Sequence, residues 1–196
     1  MKALPLIAIL VLGLTIGYVW YVQEMPKNTQ EEVETPESGA PDPTEKWETY
    51  QNTAYSISFK YPDNYVVRDR EVGNGERSHF TITLMDRKAV ENIPEAGEGP
   101  TAITFDIFQN NLDKLSAENW IRNTSESNFK LSDGALHLTY IGGAEGLYYA
   151  WDGLYQGLSI VVPHGGDILM VSVTYDSPDD QIFEDFNYLV DSVDFQ

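Results

Sequence analysis

Residues 154–175 read LYQGLSIVVPHGGDILMVSVTY. Two runs within this stretch, Leu158–Val162 and Ile168–Val173, are apolar at nearly every position. A strand with one wet face alternates apolar and polar residues, whereas a strand apolar throughout is covered on both faces. Gly165-Gly166 between the runs is a short turn of the kind that joins antiparallel neighbours. The stretch therefore predicts two central antiparallel strands of a sheet with helices packed on both sides.

The flanking sequence extends this sheet. Ala135–Ile141 and Glu145–Trp151 are strand-like runs separated by Gly142-Gly143, and Asp152-Gly153 leads into Leu154–Pro163. Further upstream, Ile103, Phe105 and Ile107 alternate within Thr101–Gln109, and Phe80, Ile82 and Leu84 alternate within Ser78–Met85. Tyr65–Glu71 and Ser78–Met85 flank Asn74-Gly75, a two-residue hairpin signal. Tyr55, Ile57, Phe59 and Tyr61 form one face of another strand, which Pro62-Asp63 ends. Asp86–Pro100 reads as a long polar loop. A short helix is expected from Ser116 as N-cap to about Asn123, with Glu118 in its first turn and Leu115 stapled onto Trp120. A last helix is expected to open at Ser177-Pro178-Asp179-Asp180, as cap, N1 proline and acids. It buries Ile182, Phe183, Phe186, Leu189, Val190 and Val193. The fold class is α+β: an antiparallel sheet between a mid-chain helix and a C-terminal helix, an α/β/α sandwich.

The amino-terminal part differs in kind. Ala3–Val22 (ALPLIAILVLGLTIGYVWYV) is an almost unbroken apolar run preceded by Lys2. At 1.5 Å per residue, about twenty residues span roughly 30 Å, the thickness of a bilayer core. The run is longer than the apolar core of a secretory signal and is followed by no small-x-small site, so an uncleaved anchor is favoured over a cleaved signal peptide. Tyr18, Trp20 and Tyr21 suit the headgroup belt, and Lys2 orients the amino terminus to the cytoplasm with the body outside it. Gly13 and Gly17 form a G-x-x-x-G, a spacing that lets helices approach. Residues 23–46 (QEMPKNTQEEVETPESGAPDPTEK) lack a core-forming complement of apolar residues and read as an extended acidic, disordered linker. The organisation expected is an anchor over 1–22, a linker over 23–46 and one globular domain over 47–196.

Charge narrows the function. The net charge is −19, and residues 131–196 hold eleven acids and no Lys or Arg. Bare affinity for nucleic acid or anionic lipid needs basic patches, so neither is expected. The acids serve solubility or a cationic partner. The chain has no cysteine, which excludes disulfides, thiolate catalysis and Cys-ligated zinc.

A family resemblance emerges from these segments. Tyr55-Ser56-Ile57-Ser58-Phe59-Lys60-Tyr61-Pro62-Asp63-Asn64-Tyr65 resembles the opening of PsbP-like domains, the Mog1/PsbP-like α/β/α sandwich: an aromatic-rich strand, then "YP", then an aromatic. Leu115 with Trp120-Ile121, Gly142-Gly143 with Glu145-Gly146, and Phe183 followed by Ser192-Val193-Asp194-Phe195 are similar to later parts of that family. The tryptophan usual after the "YP" is Tyr65 here. The resemblance implies a non-enzymatic accessory or assembly role on a larger complex, and no cofactor.

The search for chemistry yields few candidates. There is no G-x-S-x-G, H-E-x-x-H or Walker lysine. His79, His137 and His164 are the only histidines; the first two sit in strands and the third in a turn. Asp176, Asp179, Asp180 and Glu184 cluster where the last helix starts and suit a hard cation, although capping already accounts for Asp179 and Asp180. Gly142–Gly146 has no following lysine and helix to cradle phosphate, so it reads as a hairpin turn. Asn123-Thr124-Ser125 is a formal N-glycosylation triplet. Tyr148, Tyr149, Trp151 and Tyr155 crowd the strands around Asp152-Gly153. Alternation cannot place all four on one face, so they are either a recognition patch or core covered from both sides. The function expected is a membrane-tethered, extracytoplasmic, non-catalytic interaction module with a protein partner. The alternative is an extracytoplasmic solute- or metal-ion-binding sensor, with its ligand between the sheet and the Asp86–Pro100 loop.

Overall fold

The computed structural model describes residues 42–73, 75, 77–93 and 99–196. The expected anchor, Ala3–Val22, and the linker up to residue 41 lie outside the described residues. Among the described residues no helix is long and apolar enough to cross a membrane. Residues 42–196 form one compact unit. It starts ahead of Trp47, because the Asp42 carboxylate accepts the Thr44 N–H and hydroxyl, both at 2.8 Å, and Asp42 pairs with Lys60 at 3.8 Å.

In chain order the strands are β1 (Glu48–Asn52), β2 (Ile57–Tyr61), β3 (Tyr65–Glu71), β4 (His79–Asp86), β5 (Ile103–Phe108), β6 (His137–Ile141), β7 (Ala144–Asp152), β8 (Gln156–His164), β9 (Asp167–Tyr175) and β10 (Asp194–Phe195). The helices are α1 (Arg87–Glu91), α2 (Ala117–Asn123) and α3 (Gln181–Asp191), with a 3-10 turn at Phe129–Leu131. A seven-stranded sheet runs β3-β4-β5-β9-β8-β7-β6, every neighbouring pair antiparallel. A three-stranded sheet runs β1-β2-β10.

Strands β8 and β9 do what their sequence demands. Leu169, Val171 and Val173 point to one face, where Ile82, Leu84 and Phe105 meet Ile57 and Phe59 of β2 and Ile182, Phe186 and Leu189 of α3. Phe59 stacks on Phe105 with centroids 4.2 Å apart. Ile168, Met170 and Val161 point to the other face, against Tyr149, Phe108 and the Ala117, Trp120 and Ile121 side chains of α2. Each fully buried branched aliphatic or aromatic side chain contributes roughly 1.5–3 kcal/mol relative to exposure. The two layers of cover therefore dominate the stability of the domain. Gly142-Gly143 and Gly165-Gly166 adopt positive φ (55° and 78°; 60° and 95°), the backbone that two-residue hairpin turns require.

Several local readings change. The last helix begins after Asp180, not at Ser177: the Asp180 carboxylate accepts the N–H groups of Asp176 and Ser177, both at 2.9 Å, so residues 177–180 are used in a turn. The β3–β4 connection is longer than two residues. Its last paired residues are Glu71 and Phe80, and the Val72 N–H bonds to His79 O at 2.8 Å; Asn74 lies outside the described residues. The Asp86–Pro100 segment opens with α1, whose N-cap Asp86 accepts the Ala89 N–H at 3.0 Å. Strand β1, polar and mostly exposed, carries no apolar alternation. It is held by pairing with β2 and by Tyr50 stacked on Phe59 at 5.1 Å. In α2, Ser116 caps as expected, its hydroxyl accepting the Asn119 N–H at 3.3 Å.

One ionisable group sits inside the α3 face. Asp185 is buried; it accepts the Tyr65 hydroxyl at 2.8 Å and the Gln181 amide at 3.0 Å. Burial pushes its carboxyl above the usual range, with the two hydrogen bonds pulling the other way and Glu184 and Asp86 adding to the rise. A carboxyl with a higher pKa folded than unfolded leaves stability untouched below the unfolded value of about 3.9. Stability is then lost as pH rises through the folded value. Asp185→Asn keeps the shape and an acceptor for Tyr65. It should raise Tm at pH 7 by about 2–4 °C, the shift of a change near 1 kcal/mol in a domain of this size. Thermal melts should show this gain shrinking as the pH falls toward about 4; a gain independent of pH contradicts the assignment.

Candidate functional site

On the α3 side, cover ends short of one corner of the β6–β7–β8 part of the sheet, and a groove of about 420 Å³ opens there. On the α3 face, alternation brings His137 of β6, Tyr148 and Ala150 of β7, Gln156 of β8 and Tyr175 of β9 into one line. His137 and Tyr148 are directly paired and stack at 5.0 Å. Ala150, small between larger neighbours, gives the groove its depth. The segment 131–135, leading into β6, closes one side, and Asp133 and Asp152 bring carboxylates to the lining. Burial and the nearby Asp152 charge push the Tyr175 hydroxyl above its ordinary range. None of the lining residues is Lys or Arg. The groove thus joins aromatic faces to negative charge, the combination that attracts a cation to a π-surface.

Trp151 borders this groove from the opposite face. It lies across Gly157, the residue paired with it on β8, where a Cβ would stand 2.2 Å from the indole ring. The Trp151 indole N–H donates to Ser159 Oγ at 3.0 Å, and Ser159 Oγ lies 2.8 Å from Ser172 Oγ.

The four clustered aromatics therefore separate. Tyr148 lines the groove, and Trp151 borders it with its indole on the α2 face. Tyr149 is fully buried on the α2 face, its hydroxyl donating to Ser127 O. Tyr155 is half-buried and ties down the distant loop by donating to Gly99 O at 2.8 Å. Asp133, His137 and Tyr175 were not legible as groove residues, because only the register of four strands and the course of 131–135 brings them together. A parity count along the hairpins would have placed His137 beside Tyr148.

The acidic candidates remain near α3, where one of the four carboxylates, that of Asp180, is bonded to the backbone. Asp180 closes the turn ahead of the helix, Asp179 donates its N–H to Ser177 Oγ at 3.3 Å, and Glu184 accepts from Gln181 at 3.2 Å. Asp176 donates its N–H to Asp180. No group of three or more His, Cys, Asp or Glu close enough to hold a metal ion occurs among the described residues. The histidines are apart. His79 pairs with Asp106 at 2.9 Å and stacks on Phe108, His137 borders the groove, and His164 meets Tyr55 O at 2.8 Å and stacks on Phe195. A second cleft, about 510 Å³, lies between the β3–β4 hairpin and α2 beside His79. Its charges are mixed, Arg77 pairing with Asp113 and Glu126 standing on the other wall.

The fold has a known counterpart. The solution structure of cyanobacterial PsbP (CyanoP) from Synechocystis sp. PCC 6803 superposes with a TM-score of 0.51 at 12% sequence identity, covering 81% of this chain and 96% of that one. The fold is PsbP-like. No protein-family model matches the sequence, and no curated protein matches it.

The packing of Trp151 on Gly157 is directly testable. Gly157→Ala should force the indole off the sheet and lower stability by about 1–3 kcal/mol in urea unfolding. Gly153→Ala, whose Cβ would approach the end of Leu131 to 3.3 Å and meet Trp151 and Tyr155 at an ordinary 3.8 Å, should cost less. Equal costs contradict this packing.

Proposed function

We propose that the chain is a non-catalytic accessory protein that docks a basic segment of a protein partner in the groove between Tyr148, Tyr175, Asp133 and Asp152. The observation that carries this reading is the lining itself: aromatic faces and two carboxylates without a cationic side chain. Tyrosine and tryptophan are favoured interface anchors, and depleted positive charge selects a positive partner. The PsbP-like fold supports an accessory role, since folds of this kind commonly serve as subunits on larger assemblies. The apolar run Ala3–Val22 supports a single membrane anchor, and Lys2 supports a body on the extracytoplasmic side. The acidic linker then sets the reach of the groove from the membrane.

A photo-crosslinking residue in place of Tyr148, in the full-length chain in intact cells, tests both parts. The expected result is one dominant adduct, mapped to a lysine- or arginine-rich stretch, whose yield falls about threefold or more in Asp133→Asn/Asp152→Asn. Protease added outside the cells should remove the 42–196 body. An adduct insensitive to the two carboxylates, or a body protected from external protease, overturns the proposal.

A further inference from the structure

The groove ends at an open sheet edge, and the two edges of the seven-stranded sheet differ. The β3 edge carries Arg68, Asp69, Arg70 and Glu71, charges of the kind that blunt edge-to-edge pairing. Strand β6, HLTYI, carries none. The two-residue turn Gly142-Gly143 makes Ile141–Ala144 the first hydrogen-bonded pair of the β6–β7 hairpin. Alternation then makes Thr139–Gly146 and His137–Tyr148 the next. Leu138 and Tyr140 consequently direct their N–H and C=O groups away from β7, and no described residue pairs with that side. Their side chains are 59% and 60% exposed, on the face opposite the groove.

We propose that the partner binds by strand addition: an extended basic segment pairs with the outer side of β6 as an eighth strand. This rests on the docking role proposed for the groove and specifies its mode. Main-chain bonds to Leu138 and Tyr140 supply affinity, and alternate side chains supply selectivity. On one face, apolar side chains of the added strand cover Leu138 and Tyr140. On the other, the side chains beside His137 stand at the groove mouth, where a Lys or Arg reaches the Asp133 carboxylate and the Tyr148 ring. A second copy of this chain fits poorly, because residues 131–196 bring no Lys or Arg and the net charge is −19.

The test uses the full-length chain in mild-detergent micelles and a short synthetic peptide of alternating valine and lysine. Amide exchange at Leu138 and Tyr140 should slow by on the order of tenfold at saturation. The same peptide N-methylated at alternate backbone positions should give no protection, and the glutamate counterpart should not bind. Asp133→Asn/Asp152→Asn should weaken the lysine peptide about threefold or more. Tyr140→Pro removes the outward N–H and the exposed phenol, whose hydroxyl donates to Glu145 at 3.3 Å, but no main-chain bond to β7; edge strands tolerate such a proline, and it should abolish protection at Leu138. Perturbation of Tyr148 and Trp151 without protection at Leu138 and Tyr140 overturns strand addition while leaving groove docking in place. Equal binding of the N-methylated peptide, absence of binding, or protection of the same amides by self-association also overturns it.

Discussion

Burial of both faces of β8 and β9 is the constraint from which the rest of the domain follows. Strands carrying Leu158–Val162 and Ile168–Val173 cannot present either face to water without exposing several large apolar side chains at once. The chain must therefore supply two covers. The segment between β5 and β6 crosses one face with α2 and the 3-10 turn, and the segment after β9 crosses the other with α3. The three-stranded sheet completes the α3 side, where Phe59 stacks on Phe105. On the α3 side the cover centres on β5 and β9 and runs out toward the start of β6, while on the other side α2 and the 3-10 turn reach as far as Tyr149 of β7. The groove and the free edge are thus consequences of where the cover stops.

Electrostatics and packing meet at that margin. The carboxylates at 133 and 152 flank aromatic rings that the strand register has aligned, so the uncovered part of the sheet has a definite chemistry. One oxygen of Asp133 also accepts the Ala135 N–H at 2.9 Å, and three other acids are engaged within the domain. Asp180 shapes a turn and Asp86 caps α1, and Asp185 is locked to Tyr65 inside the domain. The two sets carry the same formal charge and differ in what they face.

The strands of the central sheet were legible because strand patterning is a local signal that burial reinforces. Glycine pairs marked their turns for the same reason: only that backbone closes a two-residue hairpin between twisted strands. Strand β1 was hidden because Glu48–Asn52 is held by its neighbour β2 rather than by an apolar face of its own. The start of α3 was misplaced because Ser177-Pro178 offers an ideal cap, yet the Asp180 carboxylate turns back onto the N–H groups of Asp176 and Ser177 and holds residues 177–180 in a turn. Of the candidate site, Tyr148 and Trp151 were visible as aromatics in a crowded stretch. Parity separates Tyr148 from Tyr149 and leaves Trp151 on the Tyr149 face, and the union of Tyr148 with Asp133 and Tyr175 depends on tertiary register that no local pattern encodes.

A doubly covered sheet centre supports an uncovered, unpaired margin. Native-state hydrogen exchange on the unliganded chain measures this most directly. Amides of Val161, Val171 and their neighbours in β8 and β9 should exchange only through global unfolding, while the outward amides of Leu138 and Tyr140 exchange through local fluctuation, orders of magnitude faster. Exchange in β8 and β9 as fast as at those two amides would contradict the account.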